Sequence, residues 1–162
     1  MDGPLEVLIG KSLSKSGLWL AVAESFTGGL LGHLITNVPG SSAYFRGGVI
    51  SYAYEVKRDI LGVSPETLEA KGAVSEGTVL EMAKGVRIRL KADIGLSMSG
   101  IAGPSGGTSE KPVGTTWIGM SAFDNDAAQM YLFQGDRKEI KIQAAQAAMQ
   151  MLLDYLRDLP AE

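Results

Sequence analysis

Apolar positions along the chain change period several times, and each change marks an element. Leu5, Leu8, Ile9 and Leu13 recur at helical spacing, which predicts a first helix with Pro4 in its first turn and an end near Gly17. Residues 18–23, Leu-Trp-Leu-Ala-Val-Ala, are continuously apolar, as in a strand covered on both faces. From Thr27 or Gly28 a second helix turns Leu30, Leu31, Leu34 and Ile35 toward the core and stops before the Pro39-Gly40 turn. Residues 47–53 read as a second strand and 55–62 as a short helix closed by Gly62. Ser64-Pro65-Glu66 opens another helix, and a longer one after Ser75 aligns Val79, Met82, Ala83, Val86 and Leu90 on one face. A third strand over 93–99 runs into a loop rich in glycine and proline. Strands over 115–123 and 128–133 follow, separated by Asp124-Asn125-Asp126-Ala127, the composition of a hairpin turn. Asp136 and Glu139 approximate a capping box and open a last helix that runs to about Arg157.

Helices alternate with strands early and a hairpin comes late, so the expected fold class is α/β, with a mixed, mainly parallel sheet and helices on both faces. There is no internal repeat, linker or low-complexity tract, and 162 residues suit a single domain over 1–162. Ligands of open α/β sheets bind beyond the carboxyl ends of the strands. Three segments bearing serine or glycine fall there, 24–29, 52–57 and 99–108.

Composition narrows the chemistry. The chain has no cysteine, which removes thiol nucleophiles, disulfides and thiolate metal sites and leaves oxygen or nitrogen for any covalent step. A formal net charge of −3, with basic residues scattered singly or in pairs, argues against a nucleic-acid partner. No apolar run approaches a membrane span and the N-terminus does not read as a leader, so the expected location is cytoplasmic, without a membrane partner. Glycine is abundant, 21 residues, about twice the usual share of roughly 7%, and several cluster in the candidate loops.

Ser25 sits where a buried strand meets a helix, and two readings stand there: a helix cap, or a nucleophile whose turn also supplies backbone N–H groups for an oxyanion. His33, the single histidine, points away from the core and lies roughly 12 Å along the helix from Ser25, which makes it a surface residue and not a base. Lys57 and Tyr52 begin at the end of the second strand near the same rim, and a desolvated lysine can act as a base; the plainer reading is a solvated lysine and a packing tyrosine. The Ser12-x-x-Lys15 match lies on the first helix and is taken as chance. Residues 99–107, Ser-Gly-Ile-Ala-Gly-Pro-Ser-Gly-Gly, can turn several backbone N–H groups toward an anion, with Glu110-Lys111-Pro112 as the exposed part of the loop. Arg137, at the first turn of the last helix, is placed to reach such an anion; Arg46 is a second candidate cation, and each has a simple surface role as its alternative. Trp19 and Trp117 read as core residues.

Taken in order, Ala-Glu-Ser-Phe-Thr-Gly-Gly (23–29), Phe45-Arg46-Gly47-Gly48 through Lys57, Ala73-Val74-Ser75, the 99–119 segment and Phe133-Gln-Gly-Asp-Arg137 resemble the CinA C-terminal domain family over nearly the whole chain. Characterised members of that family are nicotinamide-nucleotide amidases. The resemblance implies a three-layer α/β/α sandwich, and hydrolysis of the carboxamide of nicotinamide mononucleotide by serine, lysine and tyrosine, with no metal and no cofactor. Those roles fall on Ser25, Lys57 and Tyr52. Glu24, Thr27, Gly28, Gly29, Ser99, Gly100, Gly103 and Arg137 are the expected substrate-binding residues, with the phosphate assigned to the 99–107 loop and Arg137 on charge. Longer family members carry an additional N-terminal domain, and this chain resembles the stand-alone form. Phe26 stands where the family turn commonly has cysteine, and Tyr54 where it commonly has asparagine; both are expected to enlarge groups beside Ser25. The competing expectation is a non-catalytic module that binds a nucleotide or phosphate. Exposed sheet edges and the apolar strands over 115–133 point to a homodimer.

Overall fold

The computed structural model describes residues 2–160. Five strands form one sheet: β1 (Leu20–Glu24), β2 (Phe45–Ile50), β3 (Ile94–Gly100), β4 (Thr115–Ser121) and β5 (Asp126–Leu132), in the order β2-β1-β3-β4-β5. β1 pairs in parallel with β2 and β3, whereas β3-β4 and β4-β5 are antiparallel. The sheet is therefore mixed, but parallel only in its first half, because the connection from β3 to β4 is a loop with no crossover helix to bring the chain back.

Six helices cover it: α1 (Leu5–Ser16), α2 (Leu30–Thr36), α3 (Tyr54–Asp59), α4 (Pro65–Lys71), α5 (Glu76–Arg89) and α6 (Arg137–Asp158). Alternation along β1 shows the three layers. Val22 joins the apolar cluster of α1, α2 and α6, with Leu13, Leu31, Ile35, Ala148 and Leu152, while Ala21 and Ala23 join Leu61, Leu68, Met82 and Val86 on the other face. Both faces of β1 are buried, as its uninterrupted apolar run requires. Gly95 lets α5 lie close on the sheet: a Cβ there would collide with the Ala83 carbonyl. Ser64 and Ser75 cap α4 and α5 by accepting from the N–H groups of Thr67 and Thr78. Asp136 and Glu139 form the capping box of α6 in both directions.

Several boundaries differ from the sequence reading. α2 begins at Leu30 and not at Thr27 or Gly28, because residues 25–29 are taken up by a turn with Gly28 and Gly29 at φ +63° and +104°. β2 ends at Ile50, which leaves Ser51, Tyr52 and Ala53 as a connection into α3. Trp19 precedes β1 and is only half-buried, its ring covered by the Arg46 guanidinium at 3.9 Å. Arg46 is thereby spent at the end of β1 opposite Ser25, and Trp117 is likewise half-buried in β4, so neither tryptophan is a core residue. Met130 and Leu132 lie more than half exposed on β5, an edge strand. Among the described residues, no helix is long and apolar enough to cross a membrane.

Candidate active site

The carboxyl ends of β2, β1 and β3 carry serines side by side in the register: Ser51 follows Ile50, Ser25 follows its partner Glu24, and Ser99 follows Met98. All three are buried. The turn after β1 is organised by Glu24, which is 2% exposed. Its carboxylate accepts from the Thr27 hydroxyl (2.7 Å) and from the backbone N–H groups of Gly29 (3.2 Å), Leu31 (2.9 Å) and Gly32 (3.0 Å). A carboxylate, not a serine, thus satisfies the first N–H groups of α2 and complements its dipole. Glu24 and Thr27, expected to touch substrate, spend these groups on shaping the turn.

Ser25 is consequently no cap, and α2 has no side-chain cap bond from its own N-cap position, Gly29. The Ser25 hydroxyl meets Lys57 Nζ at 2.9 Å. Lys57 is 1% exposed, the largest fully buried side chain of the protein among the described residues. Its Nζ also donates to the carbonyls of Ser51 (2.6 Å) and Tyr52 (3.1 Å). No carboxylate lies within 4 Å of it among the described residues. Burial therefore disfavours the ammonium and pushes the Lys57 pKa from 10.5 down to about 8. The geometry suits both protonation states: the ammonium donates to two carbonyls and to Ser25, and the neutral amine keeps both carbonyls while its lone pair accepts from the Ser25 hydroxyl.

Tyr52 takes a different part from the one its side chain suggested. Its carbonyl holds Lys57, but the residue is 63% exposed, and its hydroxyl meets Arg137 Nη2 at 3.4 Å, hydrogen-bonded among the described residues to neither Ser25 nor Lys57. Arg137 also donates to the Gly103 carbonyl at 2.8 Å, which ties the start of α6 to the glycine-rich loop and to the β2–α3 connection. Gly100 lies against the Phe26 ring: a Cβ there would stand 2.8 Å from the ring edge. Phe26 is itself 5% exposed and belongs to the α1/α2/α6 core. Tyr54 turns its hydroxyl to the Ala73 N–H, at the α4–α5 connection. The Phe26 ring thus lies against Gly100, one of the expected binding residues, and Tyr54 is more than half exposed with its hydroxyl turned to the α4–α5 connection.

Ser25, Lys57, Tyr52, Gly103 and Arg137 are linked by contacts, and Glu24, Thr27 and Gly29 support them from beneath. His33 is exposed, bonded to Asn37. Sequence reasoning missed Ser51, whose hydroxyl donates to the Glu24 carbonyl at 3.1 Å while its own carbonyl holds Lys57. The signal available was its place at the end of β2, one residue before Tyr52. Among the described residues, no group of three or more acidic or histidine side chains is gathered as for a metal ion. Chemically, the arrangement offers a hydroxyl with an adjacent amine base. The backbone N–H groups of Phe26 and Thr27, beside it, donate to no protein acceptor among the described residues.

Comparison with known proteins gives the site its setting. The family model described as the CinA C-terminal domain matches residues 2–156. A Halothermothrix orenii protein whose name refers to competence-damage induction is 54% identical over 150 residues, which are 92% of this chain and 36% of that protein. The nicotinamide-nucleotide amidohydrolase PncC of Enterobacter agglomerans is 47% identical over 92% of both chains. The chain spans well under half the length of the first relatives it matches, 36–38%. Among solved structures, a CinA superfamily protein of Klebsiella pneumoniae superposes with a TM-score of 0.92 at 35% identity, covering 96% of this chain and 97% of the other. By the length of the family match, by identity over whole chains and by fold, this chain belongs to the CinA C-terminal domain family.

Proposed function

We propose that the protein is an amidase that hydrolyses the carboxamide of nicotinamide mononucleotide to nicotinate mononucleotide and ammonia. The observation that carries the reading is the 2.9 Å contact between Ser25 Oγ and a fully buried lysine with a lowered pKa. The relative named as a nicotinamide-nucleotide amidohydrolase, matched over 92% of its length, supports the substrate. In this mechanism neutral Lys57 takes the proton from Ser25 as Oγ attacks the amide carbon. The N–H groups of Phe26 and Thr27 receive the oxyanion, as the residue following a nucleophile does in a strand-to-helix turn. The C–N bond then breaks, and the Lys57 proton leaves with the nitrogen as ammonia. Water, deprotonated by Lys57, attacks the Ser25 ester, releases the carboxylate and restores the hydroxyl. Tyr52 contributes its carbonyl to Lys57 and its hydroxyl to the rim, so the proton path runs directly between Ser25 and Lys57. No step calls for a metal or a cofactor.

The test is ammonia release from nicotinamide mononucleotide by the purified protein beside Ser25→Ala. Turnover in the wild type and its loss by several orders of magnitude in the variant is the expected result. Nucleotide binding without turnover in the wild type sinks the amidase reading in favour of a binding module.

A further inference from the structure

Ser51 belongs neither to the turn that carries Ser25 nor to the helix that carries Lys57, yet it is bonded to both. Its carbonyl accepts from Lys57 Nζ at 2.6 Å, the shortest of the three contacts that hold the amine. Its N–H donates to the Glu24 carbonyl at 2.7 Å, and its hydroxyl donates to the same oxygen at 3.1 Å. That oxygen belongs to the peptide unit that joins Glu24 to Ser25. With Ser25 Oγ at 2.9 Å from Lys57 Nζ, these contacts close a ring through Ser25, Lys57, Ser51 and Glu24.

The hydroxyl is the part of Ser51 that residue identity controls, since the backbone N–H and carbonyl are common to almost any residue. The position is 0% exposed, and among the described residues the hydroxyl has the Glu24 carbonyl as its partner. The plain reading is a buried hydroxyl and a buried carbonyl satisfying each other. The Glu24 carbonyl, however, is already satisfied by the Ser51 N–H, so pairing alone calls for no second donor. What the second bond adds is direction: hydrogens prefer to approach a carbonyl oxygen near its peptide plane, so two donors restrict the tilt of that plane more than one does. It is added where the sheet stops helping. Glu24 and Ile50 are the last register pair of β1 with β2, and from Ser51 onward the chain turns away into α3.

We propose that Ser51 is a positioning residue, whose hydroxyl acts through the Glu24–Ser25 peptide to keep Ser25 Oγ aimed at the amine that the Ser51 carbonyl orients. The proposal rests on the reading of Ser25 and Lys57 as nucleophile and base, but not on which amide they act on. A misplacement of about 1 Å at a reacting centre costs roughly a hundredfold in rate, so a slackening of a few tenths of an ångström is expected to cost about tenfold. Removing the hydroxyl leaves the Ser51 and Tyr52 carbonyls on Lys57, so the balance between ammonium and amine stays as it is.

The experiment compares the wild type, Ser51→Ala and Ser51→Thr in two reactions, ammonia release from nicotinamide mononucleotide and labelling of Ser25 by an alkyl fluorophosphonate. In the second, Oγ bonds to phosphorus, fluoride leaves and the Ser25 proton passes to Lys57, so the rate reports on nucleophile and base without an amide substrate. Ser51→Ala is expected to lower kcat and the labelling rate about tenfold each, with KM within about twofold and the midpoint of the pH–rate profile unmoved. Ser51→Thr, which restores the hydroxyl, recovers most of both rates. Rates of Ser51→Ala within about twofold of the wild type in both reactions overturn the proposal, because the hydroxyl then only satisfies a carbonyl. A loss carried by KM, or by a moved pH midpoint, overturns it as well, since the hydroxyl would then act on the substrate or on the charge of Lys57. A wild type that takes up no label overturns it together with the nucleophile reading, whereas a labelled wild type that releases no ammonia leaves Ser51 in its role and removes the amidase reading alone.

Discussion

The buried lysine leaves a signature in stability as well as in rate. In the folded protein Lys57 titrates near 8 because burial disfavours the ammonium, whereas in the unfolded chain it returns to an ordinary value near 10.5. Between those values the unfolded chain binds more protons than the folded one, so stability must rise with pH across that window; below it both states are protonated and the full penalty is present. From pH 7 to pH 10 the difference amounts to roughly 2–3 kcal/mol, at about 1.4 kcal/mol per pK unit. The perturbation is Lys57→Met, which keeps the chain in the cavity and removes the titrating group. The assay is urea unfolding of both proteins at several pH values, taking the difference at each so that all other titrations cancel. Wild-type stability should gain on the variant by that amount as pH rises. In parallel, kcat/KM of the wild type should climb about tenfold from pH 7 to a plateau above pH 9, since about one Lys57 in ten is neutral at pH 7. A pH-independent difference between the two proteins refutes the reasoning, because it means Lys57 is charged equally easily in both states.

Three further substitutions separate the roles of neighbouring groups. Tyr52→Phe should lower kcat less than about threefold, since the hydroxyl meets Arg137 and not the reacting pair; a loss of a hundredfold would restore the side chain to the proton path. Glu24→Gln puts an amide among four donors, and is expected to cost about 2–3 kcal/mol in urea unfolding and to lower kcat more than it raises KM. Tyr44→Phe should stabilise the protein by about 1 kcal/mol in the same assay, because the Tyr44 hydroxyl is buried without a partner among the described residues; a lower midpoint would show that it has one.

Most of the fold was legible because its elements carry strong periods. The apolar run of β1, the Ser64-Pro65 start of α4 and the capping box of α6 all act locally; the two helix starts stand where the sequence puts them, and β1 begins two residues later than its apolar run. Boundaries failed where a tertiary interaction replaced a local one. Thr27 reads as a helix start, yet the N–H groups of α2 are satisfied by Glu24, a residue of the preceding strand, which moves the start to Leu30. At the site, Ser25 and Lys57 were legible as types at a strand end. The role of Tyr52 was not, because a backbone carbonyl has no signature in residue identity and any side chain at that position presents one.

In the proposed mechanism, the same substitution of backbone for side chain explains how a lysine would serve where a histidine would need a third residue. An imidazole base must have its other nitrogen held by an acceptor to fix tautomer and orientation. Lys57 has no tautomers to fix, and its orientation comes from two carbonyls of one connection, Ser51 and Tyr52. A carboxylate in their place would hold the amine as well, but would favour the ammonium and return the pKa toward its ordinary value, costing the base its lone pair at neutral pH. Carbonyls orient without that penalty. The buried carboxylate of the turn, Glu24, is engaged on the helix side with four donors and not with Lys57. Keeping the carboxylate on the helix side leaves Lys57 with carbonyl partners and a lowered pKa, which is the condition the proposed serine nucleophile without histidine requires.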